Sequence, residues 1–225
     1  MNRLSAPRSV QSPEKFLSDL MMKIDFDVWD KIKGFMDSDE AKRLYHIACQ
    51  ASKNGPALEI GSYCGKSAYI IGSACKGNDS ILFSIDHHRG SEEQQPGEEY
   101  FDPDLLDTRS LSVNTFPFFQ EMIIGAALEN TIVPIVASSD IAAKMWKTPI
   151  SMLFIDGGHS FDACSKDYLN WACHIKPGGF LVIHDIFKSP EKGGQAPWKV
   201  YKNAMESGEY IELEMTKTLG VLKRK

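Results

Sequence analysis

The sequence predicts a doubly wound α/β fold built on a mostly parallel, seven-stranded sheet. From Gly55 onward, short apolar runs alternate with longer segments of helical periodicity. The runs are continuously apolar, which is typical of parallel strands that helices cover on both faces. Alternating strands and helices favour right-handed crossovers within a single sheet. A chain of 225 residues is long enough for one sizeable core.

The first 54 residues predict a polar arm followed by a helical cap on the main domain. Ser12 and Pro13 are typical of a helix start, with Ser12 as the N-cap and Pro13 at the first helical position. Apolar residues recur at helical spacing from Phe16 to Phe35, and a further helix begins near Asp37. We therefore assign residues 1–54 to the arm and cap and residues 55–225 to the main domain.

The main domain is predicted element by element from its apolar runs. Parallel strands are expected at residues 57–60, 81–85, 132–136, 152–155 and 180–183. Helices are expected at residues 65–75, 112–128, 141–145, 160–173 and 198–207. Residues 210–215 and 218–222 predict a terminal antiparallel hairpin. The polar stretch from His87 to Ser110 lacks periodicity, and a connection of this length is usually functional, so we expect a mobile lid there.

Composition excludes several classes of protein. The formal charge is −5, from 25 basic and 30 acidic residues, which argues against a general nucleic-acid binder. No apolar run approaches about 18 residues, and the polar N-terminus lacks a secretory pattern, so we expect no membrane association. The five cysteines form no C-x-x-C pair, which favours free thiols in a reducing cytoplasm.

The segment from Leu58 to Ser67 follows the first predicted strand. It contains Glu59, Gly61 and Gly65 in the pattern E-x-G-x-x-x-G. Glycines there allow a tight turn and a close approach of the backbone to a ligand, and a helix start offers free N–H groups. The pattern is neither a phosphate-binding P-loop nor the dinucleotide motif G-x-G-x-x-G.

This turn resembles that of the class I S-adenosylmethionine-dependent methyltransferases. The resemblance implies the Rossmann-like methyltransferase fold, with the turn wrapped around the methionine end of the cofactor. It implies cofactor contacts for the residues of the turn, which are Glu59, Gly61, Ser62, Tyr63, Gly65 and Ser67.

Two later strand ends agree with this resemblance. Asp86 ends the second predicted strand, where a carboxylate can accept hydrogen bonds from both ribose hydroxyls. His87 either flanks the adenosine or belongs to the long connection. Ser138 and Ser139 end the third strand, where the family has small polar residues beside the adenine, although serines are equally good helix N-caps.

The fourth and fifth predicted strands end in acidic and histidine residues. Asp156 and His159 follow the fourth strand, and His184 and Asp185 follow the fifth. Adjacent parallel strands bring such residues to one edge of the sheet. Carboxylates and imidazoles together are typical of a divalent-metal site or of an acid–base site.

These segments resemble metal-dependent small-molecule O-methyltransferases and the cephalosporin-hydroxylase-like methyltransferase group. The resemblance implies that Asp156 and Asp185 bind magnesium or a similar cation, that Asp156 also lies beside the cofactor, and that His159 is the base. His184 is the second catalytic candidate. The family has a further acidic or amide ligand after the fifth-strand Asp, whereas this chain has Ile186.

The sequence thus predicts methyl transfer from S-adenosylmethionine to a hydroxyl oxygen of a small molecule. A homodimer is one option for its assembly. Two alternatives stay open at this point. One is a cofactor-binding protein without transferase activity, and the other is a nicotinamide-dependent oxidoreductase, which the absence of G-x-G-x-x-G disfavours.

Overall fold

The computed structural model describes residues 24–158 and 160–225. The helix expected from Ser12 and the polar arm before it lie outside the described residues. The described helices are α1 (Phe26–Lys31), α2 (Ser38–Ala51), α3 (Lys66–Gly77), α4 (Phe116–Gly125), α5 (Ser139–Ala143), α6 (Phe161–Trp171) and α7 (Ala196–Glu206). The strands are β1 (Ala57–Ile60), β2 (Leu82–Asp86), β3 (Leu106–Asp107), β4 (Ser112–Val113), β5 (Ile132–Val136), β6 (Ile150–Ile155), β7 (Ile175–Ile183), β8 (Tyr210–Glu212) and β9 (Gly220–Arg224).

Seven of these strands form one sheet in the order β5-β2-β1-β6-β7-β9-β8. The first five are parallel, while β9 runs antiparallel to both β7 and β8. The prediction of a mostly parallel seven-stranded sheet with a terminal antiparallel hairpin is confirmed. No helix in the described part of the chain is long and apolar enough to cross a membrane.

Helices cover both faces of the sheet, as the continuously apolar runs predicted. Alternate residues of β6 show the division, because Met152 and Phe154 face one layer and Leu153 and Ile155 face the other. Helices α1 to α4 pack in the first layer, and α6 and α7 pack in the second. The cap helix α2 therefore shares its core with the sheet.

Two local predictions were wrong in detail. The helix expected from Ser112 begins at Phe116, because Ser112–Val113 pairs with Leu106–Asp107 in a small hairpin and Pro117 marks the helix start. The strand expected at residues 180–183 begins at Ile175 and includes the Pro-Gly-Gly segment. The connection after β2 is therefore partly ordered by the β3–β4 hairpin, with Leu105 and Val113 buried together.

Candidate functional site

A cavity of about 560 Å³ lies at the carboxyl edge of the parallel strands. This edge is the usual ligand site of open α/β sheets, and the volume is within the range of small-molecule pockets. Its floor comes from the ends of β1, β2, β6 and β7, and residues 33–36 and 90–94 line its outer wall. The predicted site residues that line it are Gly61, Ser62, Tyr63, Ser67, Asp86, His87, Ser138, Ser139, Asp156, His184 and Asp185.

Glu59 and Gly65 lie beneath the cavity and do not line it. Glu59 is fully buried, and its two carboxyl oxygens accept hydrogen bonds from Ser67 Oγ at 3.0 Å and Ser84 Oγ at 2.5 Å. Burial raises the pKa of Glu59 to about 8 despite these bonds. The side chain thus joins the first turn of α3 to β1 and β2, supporting the turn from below.

Gly61 is required by a close approach between two strand ends. Its φ of +87° lies in the left-handed region, and a Cβ there would lie 2.1 Å from the carbonyl oxygen of Asp156. The sequence predicted that this glycine would admit a ligand. In the structure, the missing side chain admits the backbone of the neighbouring strand β6, which brings Asp156 next to the turn.

Asp86 is bound by backbone N–H groups from two loops. Its Oδ2 accepts from the N–H groups of Ser62 at 3.0 Å and Tyr63 at 2.8 Å, and its Oδ1 accepts from His88 N at 2.7 Å. Its side chain is 15% exposed. Because the carboxylate holds the β1–α3 turn to the end of β2, it helps to shape the cavity that it lines.

Ser138 and Ser139 follow β5 on the same edge. Ser139 Oγ donates a short hydrogen bond to Oδ1 of Asp167, a residue of α6. Asp167 lines the cavity and is only 6% exposed. Burial raises its pKa to about 6, and the negative charge of Asp140 acts in the same direction.

Asp156, His184 and Asp185 form a compact cluster at the ends of β6 and β7. Their ligand atoms lie within 4.8 Å of one another. His184 Nδ1 is 3.0 Å from Asp156 Oδ1 and 3.6 Å from Asp185 Oδ2. Asp185 has a φ of +56°, which is uncommon for a residue other than glycine, although Asp adopts it more often than most.

Glu40, at the start of α2, completes this cluster from the cap. Its Oε2 is 3.1 Å from His184 Nε2, and its Oε1 accepts from Thr218 N at 2.8 Å and Thr218 Oγ1 at 2.7 Å. Burial opposes its charge, but the bonds from His184 and Thr218 hold the pKa of Glu40 down at about 2.

His184 is consequently surrounded by three carboxyl groups. Burial disfavours its protonated form, but Asp156, Glu40 and Asp185 together hold its pKa well above the usual value. Protonated His184 donates from both ring nitrogens to carboxylates, so neither nitrogen is available as a metal ligand in this arrangement.

The two carboxylates of the cluster fit a hard divalent cation. Magnesium prefers oxygen ligands and keeps several waters, so Asp156 and Asp185 can suffice as protein ligands. Ile186, at the position of the family's third ligand, is a buried apolar residue that contributes none.

His159, the predicted base, lies outside the described residues. Its neighbours Gly158 and Ser160 both line the cavity. Sequence reasoning missed Glu40 and Asp167, which reach the site from helices. The acidic start of α2 is a capping box, with Asp37 as N-cap and Glu40 at the third helical position. This pattern is the one sequence signal that indicates a fixed position for the Glu40 side chain.

The sheet order and the cavity at its carboxyl edge define the class of Rossmann-like methyltransferase folds. Solved structures that share this fold over nearly the whole chain include the following three. An O-methyltransferase from Bacillus cereus in complex with SAH has a TM-score of 0.63 at 10% identity, covering 94% of this chain and 96% of its own. The SAH-bound Podospora anserina methyltransferase PaMTH1 has a TM-score of 0.61 at 13% identity, covering 99% of this chain and 100% of its own.

The third is the O-methyltransferase TomG from Streptomyces achromogenes, involved in tomaymycin synthesis and in complex with SAM. It has a TM-score of 0.58 at 14% identity, covering 96% of this chain and 99% of its own. The family described as "Methyltransferase domain" matches residues 58–186, which is more than half of the chain. The protein belongs to this methyltransferase family. The predicted fold and the predicted methyltransferase class are confirmed.

Proposed function

We propose that the protein transfers the methyl group of S-adenosylmethionine to a hydroxyl oxygen of a small molecule. One observation carries the proposal. A single cavity is lined by the β1–α3 turn and Asp86 in one part and by the cluster of Asp156, His184 and Asp185 in another. Such a cavity has room and polar groups for a nucleoside cofactor and an acceptor side by side.

The turn and Asp86 are assigned to the cofactor. Asp86 accepts a hydrogen bond from a ribose hydroxyl at Oδ1, using the one lone pair that its three backbone donors leave open. Gly61, Ser62 and Tyr63 border the methionine end. Glu59 and Gly65 act from beneath, by fixing the turn. The adenine of the cofactor lies toward the strand ends that carry His87, Ser138 and Ser139. Asp156 lies on the other side of the turn.

The reacting part of the cavity is assigned to the acidic cluster and to His159. The cofactor supplies, when bound, a methyl group activated by a sulfonium centre. One ring nitrogen of His159 takes the proton from the acceptor hydroxyl, because an imidazole has a suitable pKa near neutral pH. His184, with both nitrogens directed at carboxylates, positions Asp156 and balances its charge.

Asp156 and Asp185 would hold a divalent cation such as magnesium, which would lower the pKa of an acceptor hydroxyl bound to it. The acceptor is a small hydroxylated molecule, in keeping with the cavity of about 560 Å³. We retain the predictions of a cytoplasmic protein and of a homodimer as proposals. Sedimentation velocity of the purified chain checks the second.

The test is mass spectrometry of a metabolite mixture incubated with the protein and S-adenosylmethionine labelled in its methyl group. With the acceptor found in this way as the substrate, His159→Ala should lower the rate of methyl transfer by roughly 10²–10⁴-fold. The same variant should leave S-adenosylhomocysteine binding unchanged. His174→Ala, a partly exposed histidine away from the cavity, is the matched control. Full activity in His159→Ala would exclude His159 as the general base. Activity that a chelator does not change would exclude a role for the divalent cation.

A further inference from the structure

The outer wall of the cavity carries aromatic rings that the proposed mechanism does not use. Phe35, in the segment before α2, lines the cavity and is 63% exposed. Its ring centroid lies 5.8 Å from that of Tyr63, which also lines the cavity, and 5.4 Å from that of Tyr100, which is 43% exposed. The rings of Phe35, Tyr63 and Tyr100 form what we call the aromatic wall. Exposed apolar surface that is concentrated at a cavity is typical of a ligand contact.

Two glutamates lie next to the aromatic wall. Glu92 and Glu93 line the cavity, and both are exposed. The backbone N–H of Tyr100 donates to the carbonyl oxygen of Glu93 at 3.1 Å, which fixes the tyrosine beside this acidic pair. The face of an aromatic ring attracts cations through its quadrupole, and a carboxylate attracts them through its charge. The two kinds of group together are suited to binding an ammonium group.

The cavity offers no lysine or arginine to an anionic ligand. Every lysine that lines it in the described part of the chain already donates to a protein oxygen, and no arginine lines it there. These lysines and their acceptors are Lys33 with Asp102 and Asp104, Lys66 with the carbonyl of Ile32, and Lys166 with Asp162. A phosphate or carboxylate on the acceptor would have to break one of these bonds and would face the two glutamates, whereas an ammonium group would meet neither obstacle.

We propose that the acceptor carries a protonated amine besides the hydroxyl that is methylated, and that the aromatic wall and Glu92 bind this ammonium group. The inference rests on the proposed function, because it names the class of molecule that receives the methyl group. The hydroxyl lies toward Asp156 and Asp185 and the ammonium group toward the outer wall, so the acceptor is held at two points. The protonated nitrogen is bound and not methylated, because it has no lone pair.

The first experiment separates a metabolite mixture by charge at neutral pH before it is incubated with the protein, magnesium and methyl-labelled S-adenosylmethionine. One fraction is retained by a cation exchanger, a second by an anion exchanger and a third by neither. Label should enter a product fastest in the first fraction. Fastest labelling in either of the other two would overturn the proposal and leave the transferase activity standing. Labelling in none of them would refute the proposed function itself, and this inference with it.

Variants of the wall provide a second arm, measured with the purified acceptor and with its N-acetyl derivative, whose nitrogen carries no charge. Phe35→Leu keeps an apolar side chain but loses the ring, so it should raise the KM of the acceptor roughly two- to thirtyfold and leave kcat nearly unchanged. The KM of the N-acetyl derivative should change little. Phe35→Tyr, which restores a ring, should restore the wild-type KM.

Glu92→Gln should also raise the KM of the charged acceptor and spare that of the N-acetyl derivative, because it removes only a charge. Glu98→Gln is the matched control, since Glu98 is exposed on the same connection and does not line the cavity. Equal effects of Phe35→Leu on the two compounds would show that the wall binds apolar surface and not a cation, which would contradict the proposal.

Discussion

Asp86 is held by three backbone N–H groups. We expect Asp86→Asn to weaken S-adenosylhomocysteine binding at least tenfold, because an amide has one acceptor oxygen and its NH₂ would face the donors of Ser62 and Tyr63. Isothermal titration calorimetry measures the change. Asp79→Asn, at an exposed turn, is the control, and an Asp86→Asn affinity equal to wild type would disprove the ribose assignment.

Glu40 gives a pH-dependent contribution to stability. Its pKa lies at about 2 in the folded protein, below its ordinary value of 4.5, so the ionised group stabilises the fold above pH 4.5. That contribution is lost as the pH falls from 4.5 toward 2. Glu40→Gln should lower the free energy of unfolding by roughly 1–3 kcal/mol at neutral pH, and the deficit should shrink over this acidic range.

Urea denaturation of wild type and Glu40→Gln at a series of pH values checks this expectation. Glu121→Gln, an exposed glutamate of α4, is the matched control and should behave as wild type. A deficit that stays constant from pH 6 to pH 2.5 would show that the ionised form of Glu40 is not what stabilises the fold.

Site residues at strand ends were predictable, and those on helices were not. Asp86, Asp156 and Asp185 each lie at or just after the end of a strand, so the parallel sheet brings them to one edge whatever the details of packing. Glu40 lies 144 positions before its partner His184, and nothing local in the sequence marks such a pair. Asp167 reads as one more polar residue of an amphipathic helix.

The connection between β2 and α4 is anchored at its far end. Lys33 bonds to Asp102 Oδ2 at 2.6 Å and to Asp104 Oδ2 at 2.8 Å, and these bonds hold the pKa of Lys33 well above its usual value. Leu105 is buried beside the β3–β4 hairpin. We therefore expect only residues 90–101, which include part of the cavity wall, to move as a lid.

Hydrogen exchange with and without S-adenosylhomocysteine measures this motion. Residues 90–101 should gain protection on binding, whereas residues 102–113 should be protected in both states. Lys33→Ala should raise exchange in residues 102–113, and Lys31→Ala should not. Equal protection of residues 90–101 in the two states would contradict the lid.

Elements with a strong apolar pattern were predicted to within a few residues. The two-residue strands β3 and β4 were missed because they are too short to show a pattern, and their pairing depends on the buried contact of Leu105 with Val113. The start of β7 was missed because Pro-Gly-Gly is typical of a turn. Here it forms an irregularity within β7, between the pairing of Ile175 with Ile150 and that of Phe180 with Met152.

On the scale of the whole molecule, the helical cap is part of the core. Leu44 and Ile47 of α2 are buried in the same apolar layer as Ile70 and Ile71 of α3. We expect a fragment of residues 55–225 not to fold on its own, because this layer would be exposed to water. Circular dichroism during urea denaturation checks this, and a cooperative transition with the full-length midpoint would show that the cap is dispensable.

The bonds of Glu40 also set an order of events during synthesis of the chain. Its partner Thr218 follows 178 residues later. At typical elongation rates, Thr218 is therefore synthesised roughly ten to forty seconds after Glu40. Until His184 and Thr218 are synthesised, the Glu40 carboxylate has no partner that could replace its hydration. We therefore expect the first turn of α2 to stay exposed to water during that time. The charged half of the cavity is therefore assembled only after Thr218 has left the ribosome.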